Sequence, residues 1–433
     1  MISIPTQIRW SIVLALLLVT LGCSGKTYLI STPTIDVGQQ GQAVFAHVPP
    51  ELRSNDMQII YAADRAVIET TLLGPRYSDG RADHLAFGTA VVSIEPETPW
   101  DDLVRASTSR QRVQQFWLQM KSTVEYGLLA IPLNKMEVRD GRYRLTAESA
   151  AELDESQKKL REVLAERLSH TDKKDVFIFV HGFNNTFEDA VFRLAQMWHF
   201  AGRVGVPIAY TWPAGRGGIL GYAYDRESGE FTVFHLKKFL QAVAAVPEVE
   251  RIHLIAHSRG TDVAVSALRE LNIEYKSRGQ STQEQLKLQN LVLAAPDMDS
   301  DIFEQRFAVE DLHLAARRTT VYLSNTDLAL NFSRWLFGGG RRLGNLTASE
   351  LSPETRRNFV ALGRFDVIQC NVTGFSTSHD YAFAHPAVVS DMFRLLRDGL
   401  LPGAENGRPL KRPVAGVWEI TNDYPTTQPG SSP

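Results

Sequence analysis

From about residue 175 onwards, short apolar runs of strand length alternate with amphipathic stretches of helical length. Strands that are apolar on both faces and separated by helices indicate a parallel sheet covered by helices on both sides. The predicted strands are 176–180, 207–212, 252–256, 291–295, 319–323 and 365–370. The predicted helices are 150–169, 187–203, 232–246, 262–271 and 386–397. Earlier runs at 57–63 and 86–94 predict additional, antiparallel strands.

The composition is that of an ordinary globular protein. Hydrophobic residues make up 44% and charged residues 22% of the 433 residues, which excludes a wholly disordered chain, a collagen and a polytopic membrane protein. A net charge of −3 provides no global basic field, so we expect no nucleic-acid partner. Two cysteines exclude a disulfide framework and a cysteine-rich metal site.

The first 23 residues have the pattern of an export signal. Arg9 precedes an apolar run over 10–22 that is shorter than the roughly 20 residues of a membrane span and fits the centre of a secretory signal. The run ends at Cys23, which resembles the lipobox of bacterial lipoproteins, although Thr20 and Leu21 depart from that pattern. We therefore expect 1–23 to be a lipoprotein-type signal segment and Cys23 to be acylated. A plain signal peptide or an uncleaved anchor is the alternative.

Composition also predicts the domain boundaries. Residues 24–53 are rich in Thr, Gln, Gly and Pro and have little periodicity, which predicts a tether. Residues 54–400 carry the alternating pattern and form the predicted main domain. Residues 401–433 are predicted to be a flexible tail, because Pro, Gly, Thr and Ser dominate there. Inside the domain, the glycine-rich segment 215–225 is predicted to be a mobile loop over the site.

The predicted strand 252–256 runs directly into the sequence AHSRG at 256–260 and then into a helical pattern. This resembles the nucleophile elbow G-x-S-x-G of α/β-hydrolases, with Ala256 in place of the first glycine. The serine of an elbow occupies a cramped strand-to-helix turn, so the residues two positions away on either side must be small. On these five residues alone, a plain junction in which Ser258 only caps a helix is an equal alternative.

A second motif favours the elbow. The predicted strand 176–180 leads into HGFN at 181–184. In α/β-hydrolases a His-Gly turn at this point lends a backbone N–H to the oxyanion hole. The two donors here would be the N–H groups of Phe183 and Arg259, and such donors hold the oxyanion of a tetrahedral intermediate. Between this turn and the strand that leads to Ser258, the sequence predicts one strand and two helices, as the fold requires.

The chain as a whole resembles bacterial α/β-hydrolase-fold proteins of unassigned function, many of them secreted or lipoprotein-like. The motifs that carry the resemblance are Ala63-Asp64-Arg65 (one residue shorter than the family pattern), HGFN at 181–184, Trp212-Pro213, AHSRG at 256–260, Ala295-Pro296-Asp297 and His379-Asp380-Tyr381. It covers roughly 57–396 and implies an α/β-hydrolase fold with a mostly parallel central sheet and extra N-terminal strands. The resemblance implies no settled substrate.

A hydrolase triad also needs an acid and a base, in the chain order Ser, then Asp or Glu, then His. Asp327 follows the predicted strand 319–323, where this fold usually places its carboxylate, and is the preferred acid. Asp297 ends the preceding strand and is the alternative acid, or else a structural group or a group on the substrate side. His379 is the preferred base because it matches the His-x-Tyr motif. His385 is the alternative and precedes a proline that predicts a helix start.

Three further residues belong to the predicted site. His257 flanks Ser258 and is expected to shape the elbow. His181 belongs to the His-Gly turn. Trp212 ends a strand on the same sheet edge as Ser258, so it is expected either to line the pocket or to pack in the core.

Together these residues predict a membrane-tethered serine hydrolase in the bacterial cell envelope. Ser258, His379 and Asp327 would act as nucleophile, base and acid through an acyl-enzyme, with no metal and no organic cofactor. Cleavage of an ester in a small or lipid-like acyl substrate is preferred over cleavage of an amide or thioester. The alternative is a catalytically silent module that binds an envelope component, which the missing elbow glycine permits. The sequence leaves substrate and oligomeric state open.

Overall fold

The computed structural model describes residues 26–324, 326–327, 343–347, 353–374 and 379–425. The predicted signal segment with Cys23 lies outside these residues. None of the described helices is both long and apolar enough to cross a membrane.

Parallel pairing dominates the centre of the structure. The strands are β1 (Thr27–Tyr28), β2 (Asp56–Thr71), β3 (Gly74–Glu95), β4 (Trp117–Ala130), β5 (Met136–Arg139), β6 (Arg142–Leu145), β7 (Asp175–Val180), β8 (Val206–Thr211), β9 (Arg251–His257), β10 (Leu288–Ala294), β11 (Arg318–Leu323), β12 (Phe365–Asn371), β13 (Lys411–Val414) and β14 (Val417–Thr421). Within the described ranges, twelve of them form one sheet in the order β1-β4-β3-β2-β8-β7-β9-β10-β11-β12-β14-β13. The run from β2 to β14 is parallel. Antiparallel strands lie at both ends of the sheet. The antiparallel pairing of β2 with β3 agrees with the prediction.

Helices cover both faces of this sheet. The α-helices are α1 (Gln39–Ala46), α2 (Trp100–Ser107), α3 (Ala147–Ser169), α4 (Phe187–Phe200), α5 (Gly218–Ala244), α6 (Gly260–Lys276), α7 (Thr282–Gln285), α8 (Ser300–Glu304), α9 (Pro353–Leu362), α10 (Tyr381–Ala384) and α11 (Pro386–Leu396).

Successive residues of β7 belong to opposite hydrophobic cores, because side chains alternate across a strand. Ile178 packs in the core that includes Leu164 of α3 and Phe239 of α5, whereas Phe179 packs in the core that includes Leu194 of α4. All six residues of β7 are buried. The apolar run was therefore a correct indication of a strand covered on both faces.

The predicted tether over 24–53 is wrong for its described part. β1 pairs with β4, and Ile35, Phe45 and Val48 are buried. The buried Asp36 carboxylate also forms an ion pair of 3.0 Å with Arg397. A few apolar side chains and one long-range ion pair thus fix this segment to the domain.

The predicted flexible tail is also wrong for residues 401–425, and residues 426–433 lie outside the described ranges. β14 pairs in parallel with β12 and extends the sheet. Arg408 and Asp391, both fully buried, form an ion pair of 2.6 Å. Tyr424 donates a hydrogen bond of 2.9 Å to the same carboxylate. Strand pairing with β12 and polar contacts with Asp391 of α11 hold a segment that has little hydrophobic periodicity of its own.

The carboxyl ends of the parallel strands all meet at one edge of the sheet. β7 is followed there by His181, β9 by Ser258, β10 by Asp297 and β11 by Asp327. In open α/β sheets this edge is where ligands bind. The fold therefore gathers residues that are far apart in sequence into one region.

Candidate active site

Ser258 occupies a strained turn between β9 and α6. Its φ is +51°, in the left-handed region that non-glycine residues rarely adopt. A Cβ atom at Gly260 would lie 2.2 Å from the carbonyl oxygen of His181, so only glycine fits there. Ala256 is fully buried, and a methyl group is accommodated at the position where the elbow pattern has glycine. The backbone therefore adopts the geometry expected of a nucleophile elbow.

The structure brings Ser258, His379 and Asp327 together. The distance from His379 Nε2 to Ser258 Oγ is 2.7 Å, and the distance from His379 Nδ1 to Asp327 Oδ2 is also 2.7 Å. Both contacts are within hydrogen-bonding range. Asp327 is fully buried, and Ser258 is 4% exposed. The alternative base, His385, instead caps α11 by accepting a hydrogen bond from the N–H of Ala387.

The pKa of His379 is set by opposing effects. Burial lowers the pKa of His379, but the hydrogen bond and negative charge of Asp327, with the charges of Asp380 and Asp297, outweigh it. The pKa of His379 is therefore raised above its ordinary value. A histidine with this balance holds a proton better than free imidazole does, as a general base must during proton transfer.

Asp297, the alternative acid, lies near the site but is not the carboxylate bonded to His379. Its N–H donates to the carbonyl oxygen of Ser258 at 3.2 Å, and its Oδ2 accepts a hydrogen bond of 2.5 Å from Tyr222. The Tyr222 ring lies 5.1 Å from the ring of Phe183, which places Asp297 beside an aromatic wall. Within the described residues, no group of three or more His, Cys, Asp or Glu side chains is arranged to hold a metal ion.

The His-Gly turn packs directly against Ser258. A Cβ atom at Gly182 would lie 2.7 Å from the Cβ of Ser258. Among the described residues, the backbone N–H groups of Phe183 and Arg259 have no hydrogen-bond acceptor. Both predicted oxyanion donors are therefore available beside the serine. The start of α6 adds the positive end of a helix dipole at this point.

The remaining predicted site residues lie behind the reacting groups. His257 is buried, and its ring lies 5.0 Å from that of His379. Burial and the charge of His379 lower the pKa of His257 to about 3, so this side chain is neutral. Trp212 is fully buried and therefore does not line the pocket. It stacks on His181 with ring centres 5.1 Å apart and so packs against the His-Gly turn.

Sequence reasoning missed the residues that hold His379 in place. Tyr381, two positions later, is buried and donates a hydrogen bond of 2.9 Å to the carbonyl oxygen of Tyr322 in β11. Asp380 forms an ion pair of 3.1 Å with Arg193 on α4. The His-x-Tyr motif contained the signal for the tyrosine, since a buried tyrosine hydroxyl normally finds a hydrogen-bond partner.

The glycine-rich segment 215–225 differs from its prediction as a loop. Helix α5 begins at Gly218, and Asp225 lies in its second turn. The Asp225 carboxylate accepts hydrogen bonds from the N–H of Asn184 at 3.0 Å and of Gly215 at 3.3 Å. These contacts join the start of α5 to the His-Gly turn, so the segment is part of the wall of the site.

Comparison with solved structures finds matches at low sequence identity and low TM-score. A lipase-esterase related protein from Clostridium acetobutylicum matches at 10% identity over 52% of this chain and 94% of its own, with a TM-score of 0.28. An esterase from Pyrobaculum calidifontis matches at 10% identity over 57% of this chain and 92% of its own, with a TM-score of 0.26. No curated protein matches the chain.

A family model described as "Alpha/beta hydrolase of unknown function (DUF900)" matches residues 156–398, which is more than half of the chain. This range contains strands β7 to β12 and every predicted triad residue. The large, mostly parallel sheet with helices on both faces is thus an α/β-hydrolase fold. The chain belongs to the DUF900 family of α/β-hydrolases, whose function is unknown.

Proposed function

We propose that the protein is a serine hydrolase that cleaves an acyl bond, most simply a carboxylic ester, through a covalent acyl-enzyme. The observation that carries this proposal is the continuous pair of 2.7 Å contacts from Asp327 to His379 and from His379 to Ser258. A buried carboxylate, an imidazole and a hydroxyl in this order are the arrangement that activates a serine.

In the first half-reaction, Ser258 Oγ attacks the carbonyl carbon while His379 Nε2 takes the hydroxyl proton. Asp327 accepts a hydrogen bond from Nδ1–H and stabilises the imidazolium that forms. The N–H groups of Phe183 and Arg259 stabilise the oxyanion. The tetrahedral intermediate then collapses, His379 returns the proton to the leaving oxygen, and an alcohol departs.

In the second half-reaction, a water molecule attacks the acyl-enzyme. His379 takes one proton from the water, and the hydroxide adds to the acyl carbon. Collapse of the second intermediate breaks the bond to Ser258, and His379 returns the proton to the serine oxygen. The carboxylic acid leaves, and the starting state is restored without an added cofactor.

Hydrolysis of a panel of short-chain chromogenic esters tests this function. We expect activity in the wild type and a fall in kcat of at least about 10³-fold in His379→Asn. The matched control is His385→Asn, because asparagine is a good helix N-cap and preserves the role of His385 in α11. Its kcat should stay close to that of the wild type.

Two results would contradict the proposal. Equal activity of the wild type and His379→Asn would mean that another group performs the hydrolysis. The absence of hydrolysis for every ester, amide and thioester tested would favour the silent module that binds an envelope component.

We also propose that the protein is exported and attached to a membrane by lipid on Cys23, which agrees with a small or lipid-like acyl substrate. The support is the short apolar run that ends at this cysteine. Incorporation of labelled palmitate into the wild type and its loss in Cys23→Ala would be the expected result. Equal incorporation into both proteins would exclude Cys23 as the anchor.

A further inference from the structure

We propose that Arg65, on the N-terminal hairpin β2–β3, is a positioning residue for the oxyanion hole and acts through His181 on the peptide bond between Gly182 and Phe183. This inference rests on the proposed function, because it assigns a task within the same site. Arg65 lies outside residues 156–398, the part of the chain that the family model matches. The N-terminal strands would then complete the catalytic apparatus.

Arg65 is 1% exposed, and its guanidinium contacts the His-Gly turn. Nη2 donates to the carbonyl oxygen of Asn185 at 2.8 Å and lies 3.1 Å from His181 Nε2. Nη1 donates to the carbonyl oxygen of Ala214 at 2.8 Å. One side chain therefore connects the two loops that follow β7 and β8.

The contacts determine which nitrogen of His181 carries the proton. Nε2 faces two donors, the guanidinium of Arg65 at 3.1 Å and the backbone N–H of Trp212 at 3.1 Å. Burial and the charge of Arg65 lower the pKa of His181 well below its ordinary value, so the ring is neutral. Since Nε2 accepts, the proton of the neutral ring is on Nδ1.

Nδ1–H then donates to the carbonyl oxygen of Gly182 at 2.9 Å. That carbonyl belongs to the same planar, trans peptide unit as the N–H of Phe183, and the two groups point in opposite directions. Fixing the Gly182 carbonyl therefore fixes the direction of the Phe183 N–H. The 2.7 Å approach of a Cβ at Gly182 to Ser258 Cβ shows how close this peptide is to the serine.

Other contacts hold the hairpin and the turn as one unit. Asp64, next to Arg65, accepts hydrogen bonds from Thr232 at 2.6 Å and contacts His235 at 2.9 Å, both on α5. Asp225 of α5 holds the N–H of Asn184. Burial lowers the pKa of Arg65 to about 10, and the charges of Asp64 and Asp225 oppose that change, so Arg65 stays protonated at neutral pH.

The first test compares Arg65→Lys with Arg203→Lys, using the full-length protein and an active ester. Arg203 is the matched control, because it is equally buried and donates to the carbonyl oxygens of Leu52 and Ser54, away from the site. Lysine keeps the charge at both positions but cannot reproduce the branched contacts of a guanidinium. Both variants should lose comparable thermal stability.

Only Arg65→Lys should show a reduced kcat. An oxyanion hole acts on the transition state, so we expect kcat to fall about 10- to 100-fold with KM little changed. Affinity for an aryl trifluoromethyl ketone, which adds reversibly to the serine and forms an oxyanion, should fall by a similar factor. A purely structural role would reduce stability without this parallel loss.

A second pair of variants keeps the inference testable if Arg65→Lys does not fold. His181→Asn retains an N–H near the position of Nδ1, whereas His181→Gln retains an acceptor near Nε2 and removes the donor to Gly182. The proposal predicts a lower kcat for His181→Gln than for His181→Asn. Equal or reversed values of kcat in folded protein would overturn it.

Different results would contradict the proposed function and the positioning role of Arg65. If the wild type hydrolyses no substrate, the proposed function fails and the positioning role fails with it. If the wild type is active and folded Arg65→Lys keeps its kcat and its ketone affinity, the positioning role alone is wrong. A loss of activity in Arg203→Lys that matches that of Arg65→Lys would also overturn the inference.

Discussion

Asp327→Asn changes one atom of the carboxylate that contacts His379 and leaves the volume of the side chain nearly unchanged. Asp327 is fully buried, and its Oδ2 lies 2.7 Å from Nδ1 of His379. With an amide NH₂ in that position, Nδ1–H loses its acceptor. The imidazole then favours the tautomer with the proton on Nε2, which cannot accept the proton of Ser258.

The size of the effect follows from this change of tautomer. The corresponding substitution in a serine protease triad lowers kcat about 10⁴-fold. At about 1.36 kcal/mol for each tenfold change, this is about 5 kcal/mol of lost transition-state stabilisation. Asp297→Asn should have a much smaller effect, because an asparagine oxygen can still accept the hydrogen bond from Tyr222.

Steady-state hydrolysis of one ester at neutral pH compares the two variants directly. We expect kcat to fall about 10⁴-fold in Asp327→Asn and less than about tenfold in Asp297→Asn. Thermal melting of both proteins serves as the control for folding. A large loss confined to Asp297→Asn would refute the assignment and make Asp297 the acid of the triad.

Three further predictions concern pH, packing and stability. Only neutral His379 can act as the base, and its pKa is raised, so kcat/KM should rise with pH with a midpoint above about 6.5. A midpoint below this value would contradict the assignment of His379 as the base. Gly182→Ala places a Cβ 2.7 Å from that of Ser258, so kcat/KM should fall at least about 100-fold in protein that still folds. Values of kcat/KM close to those of the wild type would contradict the close packing of the His-Gly turn against Ser258. Arg408→Met leaves the buried carboxylate of Asp391 with the hydrogen bonds from Tyr322 and Tyr424 but without a positive charge beside it. Urea unfolding should show a loss of about 3–5 kcal/mol in the free energy of unfolding, and a loss under about 1 kcal/mol would mean that the ion pair does not hold the C-terminal segment.

The parallel sheet was predictable because its strands are buried on both faces. In β7, the uninterrupted run from Val176 to Val180 has no polar residue, and burial of the whole strand explains why. The antiparallel strand β4 carries a mixed pattern, with Leu118 buried and Gln119 exposed, and was not predicted. Antiparallel strands that face solvent on one side alternate apolar and polar residues, so they lack the continuous apolar run of a strand that is buried on both faces.

Helix α5 shows why local propensity failed around residue 220. Gly217, Gly218 and Gly221 disfavour a helix, so the segment was predicted to be a loop. Tertiary contacts stabilise it instead, including the hydrogen bond of 3.0 Å from Arg81 Nε to Ser228 Oγ. Such contacts join residues 147 positions apart and leave no local signature.

The site was predictable only in part, for a related reason. Ser258 and His379 belong to motifs that carry their own turn chemistry. Asp297 and Asp327 both follow parallel strands at the same sheet edge, and only the three-dimensional contact with His379 distinguishes them. The three partners that place Arg65 at the site, His181, Asn185 and Ala214, lie 116 or more residues further along the chain, so no local pattern could identify its place there.

Covalent labelling at Ser258 shows whether this hydroxyl is an activated nucleophile. A fluorophosphonate probe reacts with a serine hydroxyl only where a base and an oxyanion hole activate it. We expect the wild type to be labelled, peptide mass spectrometry to place the adduct on Ser258, and Ser258→Ala to remain unlabelled. Equal labelling of both proteins, or an adduct at another residue, would contradict the assignment of Ser258 as the nucleophile.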